Sequence, residues 1–141
     1  MSFWFSESHT DNVKLNIMVD AQLYSKTSNY QKIDIFQSRE FGRVLTLDDV
    51  IVLTEKDEFI YHEMLIHPAM AVHPKVKKVL VVGAGDGGAL RERCRYPDIE
   101  AIDLVEIDGT LVDACREYLP TCSVGYQDPR VNVHIQDGLK F

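Results

Sequence analysis

The chain has 141 residues, with 45% hydrophobic and 26% charged side chains, a globular composition that excludes a disordered segment. A formal charge of −7 argues against a nucleic-acid binder, which would present a basic surface, and is compatible with a cationic ligand. The length suits one ordinary domain or two small ones, and no apolar run approaches the ~20 residues of a membrane span.

Before residue 55 the apolar pattern has a period near two. Leu15, Ile17 and Val19 alternate with polar residues, and Ile33 and Ile35 alternate with Lys32 and Asp34. Strand-like runs at Phe41 to Leu47 and Val50 to Leu53 flank Asp48-Asp49, which reads as a hairpin. Residues 1–54 are therefore expected to form a small antiparallel β domain. Thr54 is expected to open a helix, with Asp57 completing a capping-box-like start and Glu55 and Glu58 adding first-turn acid. That helix carries Phe59, Ile60, Met64 and Leu65, and Pro68 is expected to break or kink it, because proline has no amide donor.

From Lys77 the pattern changes. Val79 to Val82 is a continuous apolar run, as for a parallel strand buried on both faces. A glycine-rich turn leads into a helix with Leu90 and Cys94 inward. Ala101 to Ile107 gives a second strand, and Asp108 caps a helix with Leu111, Cys115, Tyr118 and Leu119 on one face. Val131, Val133 and Ile135 alternate in a third strand. This β-α-β-α-β order predicts the α/β class. Residues 55–141 would be the first half of a Rossmann-like parallel sheet with helices, truncated after its third strand.

The turn Gly83-Ala84-Gly85-Asp86-Gly87-Gly88 satisfies G-x-G-x-x-G through Gly83, Gly85 and Gly88, between a strand and a helix. Glu106 closes the second strand, placed to accept hydrogen bonds from ribose hydroxyls. NAD and S-adenosyl cofactors share both features, and two others divide them. Asp86 sits where NAD enzymes seat a pyrophosphate, and a carboxylate there repels phosphate and attracts an ammonium group. Asp137-Gly138 follows the third strand, where the Asp can accept from an adenine amino group.

The segments Glu40-Phe41-Gly42-Arg43-Val44-Leu45, Thr54 to Met64, Gly83 to Gly88, Val105-Glu106-Ile107-Asp108, Tyr118-Leu119-Pro120 and Asp128-Pro129-Arg130 resemble the spermidine synthases, which are polyamine aminopropyltransferases. The likeness runs from about Trp4 to Phe141. It implies transfer of the aminopropyl group of decarboxylated S-adenosylmethionine, a co-substrate, to putrescine, giving spermidine and methylthioadenosine. No prosthetic group is expected. By position, Gln31, Gly83, Gly85, Glu106, Asp137 and Gly138 would hold the nucleoside, and Tyr61, His62 and Asp86 would face the amine. The family's general base, the first Asp of an Asp-x-x-Asp segment, would lie after Phe141, so no base is assigned and the chain alone is expected to have little turnover. Val52 stands where the family commonly has glutamine, which leaves the acceptor amine open, and Ala84 and Asp49 replace turn glycines. A methyltransferase using intact S-adenosylmethionine and a non-catalytic nucleoside- or polyamine-binding remnant are the alternatives. A homo-oligomer, dimer or tetramer, is expected of the complete protein.

The remaining ionisable residues carry no expected chemistry. Cys94, Cys115 and Cys122 have no disulfide framework, which fits a reducing, cytoplasmic location, as does a start without a signal peptide; Cys94 and Cys115 read as core. No Cys/His cluster has zinc spacing, so no metal is expected. His9, His67, His73 and His134 read as structural, and Arg91, Arg93 and Arg95 as a solvated helix face.

Overall fold

The structure, a computed structural model, describes residues 2–73 and 75–141. The chain divides into two compact units, Met1–Glu58 and Phe59–Phe141.

In the first unit, β1 (Phe3–Thr10) and β2 (Val13–Val19) form an antiparallel pair. A second antiparallel sheet has the order β3 (Ala21–Thr27), β4 (Lys32–Ser38), β5 (Gly42–Leu47) and β6 (Val50–Thr54). Phe5, Ile17, Val19 and Phe36 pack into one buried cluster, while Leu15 is 46% exposed despite sharing the period of Ile17 and Val19. The β5–β6 hairpin is as expected. Asp48 and Asp49 both take positive φ, the two-residue turn whose twist matches the flanking strands. Asp34, placed outside by alternation, is buried: Gln22 Nε2 donates to its Oδ1 at 2.8 Å, and the Lys32 ammonium forms an ion pair with Oδ2 at 2.9 Å.

Thr54 does not open the helix; it ends β6. Its hydroxyl donates to Asp57 Oδ1 at 2.6 Å, a turn that precedes α1 (Glu58–Val72). Pro68 does not break α1, which continues to Val72 on its other backbone hydrogen bonds. The apolar residues of this helix are exposed in the described chain, Phe59 46%, Ile60 57%, Met64 68% and Leu65 48%, whereas His62 and Ile66, one turn apart, are buried.

The second unit carries a parallel sheet in the order β7 (Lys78–Val82), β8 (Ala101–Glu106), β9 (Val131–Ile135), with α2 (Gly88–Cys94) and α3 (Gly109–Tyr118) as crossovers. Val81 pairs with Leu104, and Leu104 with Val133, which aligns the carboxyl ends of all three strands. Val79, Leu90, Ile99, Ile102 and Leu104 form the core. Burial of β7 on both faces is not observed: Val79 is buried on one face, while Leu80, 54% exposed, and Val82, 63% exposed, lie on the other. β8, with a neighbour on each side, is the buried strand. Among the described residues no helix is long and apolar enough to cross a membrane.

Arg130 ties the sheet to its loops. Its guanidinium donates to the carbonyls of Tyr96 (2.8 Å), Ile99 (3.1 Å) and Cys94 (2.7 Å) and to both oxygens of Asp128 (2.9 and 2.7 Å). The hydrogen-bonded guanidinium holds the Asp128 carboxyl well below the usual range. The helix face before it is only partly solvated, with the Arg95 side chain 60% and that of Arg91 20% exposed. Arg91 and Arg95 both donate to Glu92, at 2.8 and 2.7 Å. Arg93 has its Nε buried without a hydrogen-bond partner, and burial lowers its pKa.

Three outcomes are expected. Ala84 has a left-handed backbone, φ 64°, which costs an L-residue about 1–2 kcal/mol. Ala84→Gly removes that cost and adds about 0.4–1 kcal/mol of unfolded-state entropy, so denaturant unfolding should show a net gain of up to about 1 kcal/mol. Arg130→Gln should cost about 2–3 kcal/mol at neutral pH, since three carbonyls and a carboxylate lose a charged donor. Because Asp128 is depressed in the folded chain, its contribution is present above the ordinary aspartate pKa of about 4 and is lost as pH falls below it. Asp128→Asn should therefore flatten the acid limb of stability measured between about pH 7 and pH 3.

Candidate functional site

At the carboxyl ends of β7 and β8 the chain leaves the sheet through the glycine-rich turn and through Glu106, the place where open α/β sheets bind ligands. Gly83 N–H donates to Val105 O at 2.8 Å, which pins the start of the turn to β8. Gly83 has φ 80° and no atom within 4 Å of the position a Cβ would take, so its backbone is both left-handed and open to approach. Gly85 and Gly88 are glycines for another reason, contact within the protein. A Cβ on Gly85 would lie 2.9 Å from Leu111 and 3.1 Å from Glu106 Oε2. A Cβ on Gly88 would collide with the imidazole of His62.

That close approach brings His62 to Asp86. His62 Nε2 lies 3.0 Å from Asp86 Oδ1, with the histidine side chain 3% and the aspartate side chain 13% exposed. The same oxygen accepts from Gly88 N–H at 2.7 Å and from the thiol of Cys122 at 3.5 Å. Burial on its own would raise the Asp86 pKa. The hydrogen bond and charge of His62, the Gly88 amide and the Cys122 thiol outweigh it, and the carboxyl is held below its ordinary value. Asp86 is thus an ionised group in a protected turn. Tyr61 is 66% exposed and stands edge-on to the His62 ring, with centroids 5.2 Å apart.

Glu106 is buried, and its Oε1 accepts from Asp108 N–H at 2.9 Å. Asp108 in turn caps α3 through Thr110 N–H at 3.0 Å. One backbone corner therefore fixes both the helix start and the glutamate, whose Oε2 is turned toward Gly85. Asp137 follows β9, which is tied to β8 by Gln136 N–H donating to Glu106 O at 3.0 Å. Asp137 Oδ1 accepts from Leu139 N–H at 2.9 Å, and Gly138 packs so closely that a Cβ would lie 2.7 Å from Val82 Cγ1.

The second unit thus gathers Gly83, Gly85, Asp86, Glu106, Asp137 and Gly138 at the ends of its strands, with His62 against Asp86. Gln31 belongs to the first unit, in a turn where its N–H donates to Ser28 Oγ at 3.2 Å. Sequence reasoning missed Cys122 and Tyr126. Tyr126 donates to Gly85 O at 2.9 Å beneath the guanidinium of Arg116, 4.4 Å from its ring centre. Neither has a local signal, since each lies more than 30 residues from the turn it touches. His67, read as isolated, does join a cluster: it meets Glu92 at 3.1 Å and Tyr96 at 2.7 Å, and its donor atom lies within 4.8 Å of those of Glu63 and Glu92. Arg91 and Arg95 already occupy the Glu92 oxygens, so the group is an ion-pair network.

Both units resemble known proteins. The spermine/spermidine synthase domain matches residues 58–141, and the spermidine synthase tetramerisation domain matches residues 3–55. The polyamine aminopropyltransferase of Alkaliphilus oremlandii is 55% identical over all 141 residues, which are 50% of that protein. That of Clostridium perfringens is 56% identical with the same coverage. The crystal structure of spermidine synthase from Thermotoga maritima superimposes with a TM-score of 0.95 at 44% identity, covering 98% of this chain and 49% of that one. A spermidine synthase in complex with the transition state analogue AdoDATO matches equally well, with TM-score 0.95 at 44% identity and coverage of 98% and 49%. The chain spans about half the length of the relatives it matches. With a Gly-x-Gly-x-x-Gly turn, an acid closing β8 and both family models across it, the chain belongs to the spermine/spermidine synthase family.

Proposed function

We propose that this chain is the nucleoside- and amine-binding portion of a polyamine aminopropyltransferase. The whole protein would transfer the aminopropyl group of decarboxylated S-adenosylmethionine to putrescine and release spermidine and methylthioadenosine. The observation that carries this is the ionised, three-donor Asp86 inside a glycine turn that ends beside Glu106.

The chemistry accounts for the residue types. The amine nitrogen attacks the methylene carbon next to the sulfonium. A C–N bond forms, the C–S bond breaks with its electron pair going to sulfur, and sulfur leaves as a neutral thioether. The new ammonium then loses a proton. No acid or metal has to assist the leaving group. What the protein must supply is alignment of nitrogen and carbon, exclusion of water, and an amine that is neutral when it attacks. Free diamines have pKa values near ~10, so a site at neutral pH must take a proton away.

Glu106 holds the ribose hydroxyls through Oε2, its other oxygen being anchored by Asp108. Asp137 and Gly138 serve the adenine, and Gly83 and Gly85 let the nucleoside approach the backbone. Asp86 draws an ammonium group, with an attraction of about 4 kcal/mol at 4 Å in a partly screened site. The same charge repels the carboxylate of intact S-adenosylmethionine, which separates this reading from a methyltransferase. His62 and Tyr61 line the amine side.

We further propose that the complete protein is a homo-oligomer in a reducing, cytoplasmic setting. Support comes from the match of residues 3–55 to a tetramerisation domain, from the exposed cross-strand pair Trp4 and Met18 on β1 and β2, and from three free cysteines.

Calorimetric titration of the 141-residue chain with methylthioadenosine tests the nucleoside site. Micromolar binding is expected, and Glu106→Gln should weaken it by roughly 10- to 100-fold, the loss of a charged hydrogen-bond acceptor. A folded chain that binds nothing refutes the assignment. The decarboxylated co-substrate should bind more tightly than intact S-adenosylmethionine, and Asp86→Asn should erase that preference. Equal affinities in the unmodified chain would favour the methyltransferase reading.

A further inference from the structure

The donors around Asp86 are unevenly distributed. Oδ1 receives the Gly88 amide at 2.7 Å, His62 Nε2 at 3.0 Å and the Cys122 thiol at 3.5 Å. No hydrogen bond to Oδ2 is present among the described residues, although the side chain keeps 13% exposure. The three donors come from three segments: the glycine turn, α1, and the residue that leads into the 3-10 turn Ser123–Gln127. Cys122 is itself 1% exposed, and its backbone N–H donates to Leu119 O at 3.1 Å, so its position follows the end of α3.

A buried thiol in apolar packing behaves as a small hydrophobe. Cys122 instead turns its sulfur to a buried carboxylate, a weak donor placed where it can matter. The Gly88 and His62 contacts alone would leave the carboxylate free to rock about its Cβ–Cγ bond. A third donor on the same oxygen closes off that freedom.

We infer that Cys122 is a positioning residue for Asp86: its thiol completes the saturation of Oδ1, so that Oδ2 alone is presented to an incoming ammonium group. This deepens the proposed amine site and rests on it. The donor must be the neutral thiol, because a thiolate at 3.5 Å would repel the carboxylate. Cys115, on α3, and Tyr126, in the 3-10 turn, also feel Asp86. Burial, first, and the nearby negative charges push both well above their ordinary values, so both are neutral. Neither they nor His62 replaces the lost donor when Cys122 is changed.

The test compares Cys122→Ala, Cys122→Val and Cys122→Ser in the 141-residue chain. One arm follows the Asp86 side-chain carboxyl by carbon-13 NMR as pH is varied. The other measures affinity for putrescine. In Cys122→Ala and Cys122→Val the Asp86 titration should move up toward the ordinary aspartate value, and putrescine affinity should fall about two- to tenfold. Cys122→Ser, which keeps a hydroxyl donor, should restore both. Should the alanine variant not fold, the valine variant fills the volume and carries the same comparison. An Asp86 titration unchanged in the donor-less variants, or shifted equally in Cys122→Ser, overturns the inference. If the unmodified chain does not bind putrescine, the amine-site reading fails by itself, and the NMR arm still decides whether Cys122 positions Asp86.

Discussion

The contact on which the site depends is the seating of the His62 ring against Gly88. Only a residue without a side chain lets α1 bring an imidazole to the first residue of α2, and only that approach puts Nε2 at 3.0 Å from Asp86. A carboxylate this buried would otherwise be driven toward its neutral form. With His62, the Gly88 amide and Cys122 on one oxygen it stays ionised, and a fixed negative charge is available at the mouth of the glycine turn. The motif is therefore more than a run of flexible residues. At Gly85 and Gly88 it is also an internal packing device, and the charge of Asp86 follows from that packing.

A second constraint runs through β8. It is the central strand, with Ile102, Leu104 and Val105 almost fully buried, and its end carries both Glu106 and the Asp108 cap. Because the Asp108 amide donates to Glu106 and the Asp108 carboxylate caps α3, the strand end, the helix start and the glutamate share one hydrogen-bonded corner. Glu106 is aimed by the fold's best-packed element. A group held this way needs little reorganisation when a ligand arrives, which lowers the ordering cost of binding.

What was legible in the sequence was what local rules govern. The Asp48-Asp49 hairpin, the Gly83–Gly88 turn, the Asp108 cap and the β-α-β-α-β order each depend on a few adjacent residues and appear as expected. The misses have physical causes of the opposite kind. Thr54 and Asp57 carry the chemistry of a cap, yet Thr54 pairs with Val44 in the sheet, and ladder pairing displaces the helix start to Glu58. Val79 to Val82 looks like a strand buried on both faces, but face burial depends on what packs over the sheet, and Leu80 and Val82 lie on an exposed face. Arg91 and Arg95 resemble a solvated stripe until Glu92, buried at 3%, is seen to receive both.

The same distinction explains why residue types in the site were readable while their geometry was not. Glycine, aspartate and glutamate at fixed spacing are readable because a tight strand-to-helix turn and a strand end, and under the proposed function a ribose, impose those types locally. Which oxygen of Asp86 is occupied depends on His62, 24 positions earlier, and Cys122, 36 positions later, whose arrival is set by tertiary packing. The two levels answer different questions. The local pattern says that a carboxylate stands in the turn, and the packing says which of its oxygens is free to act. Recognition of a cation by a single free oxygen is more directional than recognition by a whole carboxylate, so the specificity of such a site is written in contacts that no short motif contains.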